Sequence, residues 1–167
     1  MHALLAVQID HVKNFMRELL LQDTFDRFLV SEVSITTFTT FSIDGQLHPE
    51  FFGPDQCESL RAENRSSILW KEARHYCLGI IKGQQSPLSF HIILQADSAL
   101  TAQISASAGL SFSPEDIFGL FLNLQFRGGI LSLTTGSSLK VFTPDKSLDR
   151  AWDRFVREWL EKEGITN

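Results

Sequence analysis

Apolar positions switch between helical and alternating spacing along this chain, and the switch occurs twice in the same order. Ile9, Val12, Phe15, Met16, Leu19 and Leu20 recur at helical intervals behind a short apolar run, with Asp10 as the candidate N-cap. The period then falls to two. Leu29, Val33 and Ile35 mark a strand, and the Thr36–Phe41 run predicts its continuation through a bulge. Asp44-Gly45 predicts a type I′ hairpin, because both central residues of that turn need positive φ. The returning strand is expected over Gln46–Phe52, at an edge because Pro49 removes an amide donor. A second series follows: an alternating run over Leu88–Ala96, a small-residue helix over Ser98–Ala108 ending at Gly109, and a helical-turn start at Ser113-Pro114-Glu115-Asp116.

Leu120, Leu122, Leu124 and Phe126 alternate with Phe121, Asn123 and Gln125, the clearest strand signature in the chain. Arg127-Gly128-Gly129 is expected to turn this strand back, and Gly136-Ser137 to turn the chain again. The last segment, 147–163, carries one continuous stripe of Leu148, Ala151, Trp152, Phe155, Val156, Trp159 and Leu160. Between the two series, Gly53–Ser67 reads as a loop. A short helix over Ser67–Arg74 and a hairpin pairing Tyr76–Lys82 with Leu88–Ala96 across Gly83–Pro87 follow it. The expected architecture is a single α+β domain over 1–167, with antiparallel sheets and helices packed on one face. It would hold two pseudo-repeated β-α-β-β-β halves (4–52 and 88–142), a connecting loop and hairpin (53–87) and a C-terminal amphipathic helix.

Composition narrows function more than it narrows fold. A chain of 167 residues buries enough surface to fold without a metal or disulfide staple. Fourteen Phe against one Tyr reads as an apolar interior rather than a stacking platform. The net charge of −5 argues against general nucleic-acid or anionic-membrane binding. Residues 53–87 form the only net-basic stretch, with five bases and four acids. Two cysteines make no disulfide framework, and Cys77 in its apolar run reads as a buried thiol. No apolar stretch approaches the roughly 20 residues that span a bilayer, and the N-terminal run is too short for a secretory core. A cytoplasmic location is the expectation.

Candidate chemistry is sparse. Thr134–Lys140 gathers hydroxyls, a Gly and a Lys, so Thr135, Ser137, Ser138 and Lys140 form a candidate weak anion loop. It lacks Walker spacing and does not open a helix. His75 and Cys77, with Cys57 upstream, are too few for structural zinc, and no activating base can be argued for a nucleophile. No metal site, cofactor site or catalytic residue is assigned. Trp70, Lys71, Arg74, His75 and Lys82 lie in the net-basic stretch beside the predicted loop. An aromatic and an Arg four residues apart form a candidate interaction surface.

Five runs carry a family resemblance: Phe25-Asp26-x-Phe28-Leu29, Ile43-Asp44-Gly45, Ile81-Lys82-Gly83, Leu120-Phe121-Leu122-Asn123 and Thr134-Thr135-Gly136-x-Ser138-Leu139-Lys140. From about Val12 to Gly164 the chain resembles a family of small cytoplasmic proteins from Gram-positive bacteria, catalogued as a domain of unknown function. That resemblance implies no activity. The order strand–helix–strands, twice, is also similar to one domain of a DNA sliding clamp. The clamp likeness implies basic residues on the outward helices, where this chain offers Lys13 and Arg17 on the first and none on the second. The function expected is a non-catalytic protein-interaction or assembly module, with a protein partner or a homo-oligomer. The alternatives are a clamp-like nucleic-acid accessory protein and an enzyme with a pocket near Trp70, Arg74 and His75.

Overall fold

Alternation along the two longest strands decides which side of the sheet is buried. The computed structural model of the protein describes residues 5–83, 85–110 and 113–165. Among these, the chain forms β1 (Ala6–Ile9), α1 (Val12–Leu20), β2 (Leu29–Thr36), β3 (Thr40–Ile43), α2 (Pro54–Ala62), α3 (Trp70–Ile81), β4 (Ser89–Gln95), α4 (Ser98–Ala108), β5 (Ile117–Arg127), β6 (Ile130–Leu139) and α5 (Ser147–Lys162). The strands make one antiparallel sheet in the order β1-β6-β5-β4-β2-β3. Cross-strand register aligns Val33, Ile92, Leu124 and Leu133 in one buried row, and Leu94, Leu122 and Thr135 in the next. One residue along, Ser34, His91, Gln125, Ser132 and Gln8 form a row on the opposite face, all exposed or half-buried. A period of two therefore gives one greasy face, which the helices cover, and one polar face left to water. The fold is α+β, with the expected C-terminal helix.

Helix α5 shows why its stripe mattered. Leu148, Ala151, Trp152, Val156 and Leu160 are buried. Half-buried Trp159 meets Phe25 edge-on at 5.0 Å and Phe28 at 5.4 Å, and Phe15 joins Phe25 at 5.6 Å. Each such pair contributes about 0.5–1.5 kcal/mol beyond its buried area. The Phe excess is only partly core, however. Phe15, Phe25, Phe28, Phe90 and Phe121 are buried, whereas Phe38, Phe51, Phe118 and Phe142 are 91%, 84%, 63% and 99% exposed.

Several elements depart from the sequence expectations. The Tyr76–Lys82 strand is the C-terminal half of α3, because Trp70, Ala73 and Cys77 supply a helical stripe that outweighs the β-branched Ile80-Ile81. The Glu72 carboxylate closes the start of α3 by accepting from the Leu69 amide at 2.8 Å. The Gly53–Ser67 loop contains α2, started by Pro54 and by Gln56 accepting from the Gly53 amide at 3.3 Å. Gly136-Ser137 does not turn, since β6 runs unbroken through it to Leu139. The predicted strand Gln46–Phe52 reduces to one bridge, Gln46 with Ser67, followed by a 3-10 turn at Pro49–Phe51. The order β-α-β-β occurs in each half with four elements rather than five, and the pairing differs. β4 neighbours β5 across α4, whereas β1 lies at the far edge from β2. The expected start at Leu4 and the loop residue Gln84 lie outside the described residues.

Asp44-Gly45 departs most instructively. The hairpin tip is Thr37–Thr39, between β2 and β3, so Gly45 is not there. Gly45 does have positive φ (+75°), and its carbonyl accepts from the Ile68 amide at 2.9 Å. A Cβ on Gly45 would stand 2.2 Å from the Val30 carbonyl oxygen. Backbone, not a yielding side chain, blocks it. Gly45→Ala is therefore expected to destabilise the fold by at least about 2 kcal/mol, read from the urea midpoint at unchanged m-value.

Candidate functional site

Trp70 and Arg74 sit on one side of α3, as their spacing predicts, but they face inward. Trp70 is 0% exposed, and its Nε1 donates to the Leu19 carbonyl at 2.7 Å. Arg74 grips Asp26 with two nitrogens, at 2.8 and 3.3 Å, and donates to the Leu20 carbonyl at 3.3 Å. Leu19 and Leu20 are the last residues of α1, whose terminal carbonyls have no partner within their own helix. Trp70 and Arg74 thus cap α1 from outside. Lys71, His75 and Lys82 remain exposed, with His75 packed on exposed Tyr76 at 4.1 Å between ring centroids. Trp70 is thus removed from the candidate interaction surface by burial, and Arg74 is committed to Asp26. Cys77, on the same inner stripe, is a free thiol whose pKa burial pushes up to about 11, which keeps it protonated and unreactive at neutral pH.

The candidate anion loop also resolves differently. Thr135 and Ser137 are buried within β6, and both hydroxyls donate to carboxylates of α5. Thr135 Oγ1 donates to Asp153 at 2.5 Å and accepts from the Leu5 amide at 3.1 Å, while Ser137 Oγ donates to buried Asp149. Hydroxyls turned toward carboxylates cannot cradle an anion. Ser138 is half-buried opposite Gly119, and Lys140 is exposed beyond the strand. Asp149 and Asp153, four residues apart on α5, instead latch that helix to β6. Desolvation raises the Asp153 pKa; the Thr135 hydrogen bond lowers it, Asp149 raises it and Arg157 lowers it.

One hollow was not legible in the sequence. It opens where β4 ends and α4 leaves the sheet, a cleft of about 840 Å³ walled by Leu29, Leu69, Ala99, Ala102, Ile117 and Phe118. An adjoining hollow of about 620 Å³ shares Asn64, Arg65, Ser66, Ile117 and Phe118 with it and adds Arg61 and Lys140. Arg65 is the fixed wall. It pairs with Glu63 at 3.4 Å and with Glu72, donates to the Ser67 carbonyl at 3.2 Å, and keeps a buried Nε with no partner. Arg61 and Arg65 lie in the stretch read as a loop, so no periodicity marked them.

The sheet has two edges, β1 and β3. The β3 edge and its hairpin, Thr36-Thr37-Phe38-Thr39-Thr40-Phe41-Ser42-Ile43, contain no charge, Gly or Pro. Phe38 projects from the tip, 91% exposed, against half-buried Phe41 at 5.8 Å.

The α5 latch generates two tests. The folded-state pKa of Asp153 lies above its unfolded value, so its contribution to stability is fully present below the unfolded pKa of about 3.9 and is lost as pH rises through the folded pKa. Asp153→Asn, which can still accept from Thr135, should therefore raise the neutral-pH melting temperature, and the gain should vanish in acid. Ser137→Ala leaves the buried Asp149 carboxylate without its donor, and chemical denaturation should register a loss of about 1–3 kcal/mol.

Compared with known proteins, the chain matches no curated protein and no solved structure. A family model matches residues 18–167, from the last turn of α1 through α5. The chain belongs to that family, which is described as a family of unknown function (DUF5721).

Proposed function

We propose that the protein is a non-catalytic assembly module that pairs with a second copy of itself along β3. The observation that carries this reading is the unguarded edge. Natural sheets blunt exposed edges with Lys, Pro, bulges or covering segments, because unpaired amides and carbonyls otherwise template another strand. From Thr36 to Ile43 none of those residue types is present. The missing charge also favours a like partner: a two-fold axis beside β3 sets the same residues against each other, and like charges there would repel. Phe38 supplies an anchor of the kind that dominates interfaces, an aromatic ring with nothing above it. Four residues of strand are too few to hold a dimer alone, so the Phe38–Phe41 pair must carry much of the buried area.

Other features support this setting. Cys57 and Cys77 are both unpaired thiols, which favours a reducing compartment such as the cytoplasm. Among the described residues no helix is long and apolar enough to cross a membrane.

Light scattering across about 1–200 µM protein tests the reading. The weight-average mass should rise from 18.9 kDa toward twice that value. Phe38→Lys with Ser42→Lys should hold it at the monomer mass, with the melting temperature unchanged within about 2 °C because both positions are exposed. A monomer mass at every concentration, with no protein recovered on the immobilised chain, would overturn the proposal.

A further inference from the structure

The hollow beside Phe118 combines features that the self-pairing edge does not use. Among the described residues its lining holds three cations, Arg61, Arg65 and Lys140, and no carboxylate. The chain as a whole carries five more acids than bases, so a cationic recess runs against the overall composition. Arg65 is committed to Glu63 and Glu72. Arg61 and Lys140 take part in no ion pair among the described residues. Arg61, from α2, and Lys140, just past the end of β6, are both exposed and line one recess with no side-chain counter-charge among the described residues.

The neighbouring cleft has the complementary chemistry. Leu29, Leu69, Ala99, Ala102 and Ile117 make an apolar wall, and Phe118 stands 63% exposed where cleft and hollow meet. The charges at the cleft are Glu63, Asp97 and Glu115, with Arg65 at the shared wall. Asp97 is occupied twice, by Arg27 at 3.5 Å and by the Leu100 amide at 2.7 Å. An anion is therefore disfavoured in the cleft and favoured in the hollow, which orients a ligand with unlike ends. A cleft of about 840 Å³ falls within the usual range for small-molecule sites.

We propose that Arg61, Lys140 and Phe118 form a binding site for a small molecule bearing a compact anionic group, a phosphate monoester or a carboxylate, on an apolar body. Arg61 and Lys140 hold the anion, Arg65 forms the rigid wall, and Phe118 covers the apolar body at the mouth of the cleft. Arg suits phosphate and carboxylate alike through its paired donors, so the two chemistries share the site. This inference stands independently of self-association.

Amide NMR at low salt tests it with phenyl phosphate, benzoate and inorganic phosphate as probes. Phenyl phosphate is expected to shift amides at 61–66, 117–119 and 140, and to bind about tenfold or more tightly than inorganic phosphate. Arg61→Glu with Lys140→Glu should weaken it about tenfold or more, as expected when charge-assisted hydrogen bonds are lost. Phe118→Ala should bring phenyl phosphate down to the affinity of inorganic phosphate and leave the latter unchanged. Benzoate shifting the same amides would support the carboxylate arm, and its failure beside bound phenyl phosphate would assign the site to phosphates. If the charge reversal unfolds the chain, Arg61→Gln with Lys140→Gln replaces it, with the same weakening expected. Shifts scattered over unrelated basic residues, or an affinity indifferent to both charge variants in a folded protein, would overturn the proposal.

Discussion

The Trp152 indole N–H donates to the Phe121 carbonyl at 3.0 Å inside the core, and the placement of the helical layer depends on bonds of this kind. A sheet covered on one face only has no second layer to hold its helices in register. Hydrophobic burial pulls α5 against the sheet but does not fix where along it the helix rests. Directional bonds to carbonyls and carboxylates do that. Trp152 pins α5 to β5, Ser137 and Thr135 pin it to β6, and Trp70 with Arg74 pins α3 to the end of α1. Trp70 and Trp152 are buried almost completely, yet each indole N–H is satisfied, as the cost of an unpaired buried donor requires.

The same pins explain why most of the chemistry-bearing residues noticed in the sequence have structural work. Spacing correctly placed Trp70 and Arg74 on one side of a helix. It could not show that Leu19 and Leu20 lie opposite, 51 and 54 residues earlier. Thr135 and Ser137 were conspicuous because hydroxyls were concentrated in a strand-like run. Their partners, Asp153 and Asp149, lie 18 and 12 residues further along the chain, on α5. Long-range pairing decided each of these roles, and no local pattern encodes it. What local pattern does encode was legible: the α5 stripe, the β5 alternation, the Gly109 stop of α4 and the cap at Ser113 all appear in the structure. The error at α3 has a simple source. Seven residues from Tyr76 hold an apolar run short enough for a strand, and the preceding turn that makes them helical begins with a Trp whose burial only the sheet reveals.

Phenylalanine divides along the same line. Phe15 and Phe90 lie inside on the α1 and β4 stripes, and Phe25 and Phe28 reach inside from the turn between α1 and β2 to pack on Trp159, whereas the exposed Phe38, Phe51, Phe118 and Phe142 stand on turns, a strand start or the segment after β6. Such positions are invisible to periodicity, and a ring exposed there has a different meaning from a core ring. Phe38 marks the proposed self-pairing edge and Phe118 the proposed ligand recess. The α5 latch makes a parallel point from energetics. Desolvating Asp153 opposes its ionisation, so at neutral pH the latch holds its geometry at some expense in stability.

Edge and recess are separate in chemistry but joined in the backbone. The chain leaving β3 passes through Gly45, whose carbonyl accepts from Ile68, and Leu47, whose amide donates to the Ser66 carbonyl at 3.0 Å. Ser66 and Arg65 form one wall of the cationic hollow. A change at Gly45 or Leu47 would therefore disturb the proposed assembly and the proposed ligand binding together, and could not tell one from the other. Ser42 and Lys140 lie outside that short ladder, and both are exposed. Charge changes at those two positions act on one surface each, so loss of self-pairing with ligand binding intact, or the reverse, separates the two activities.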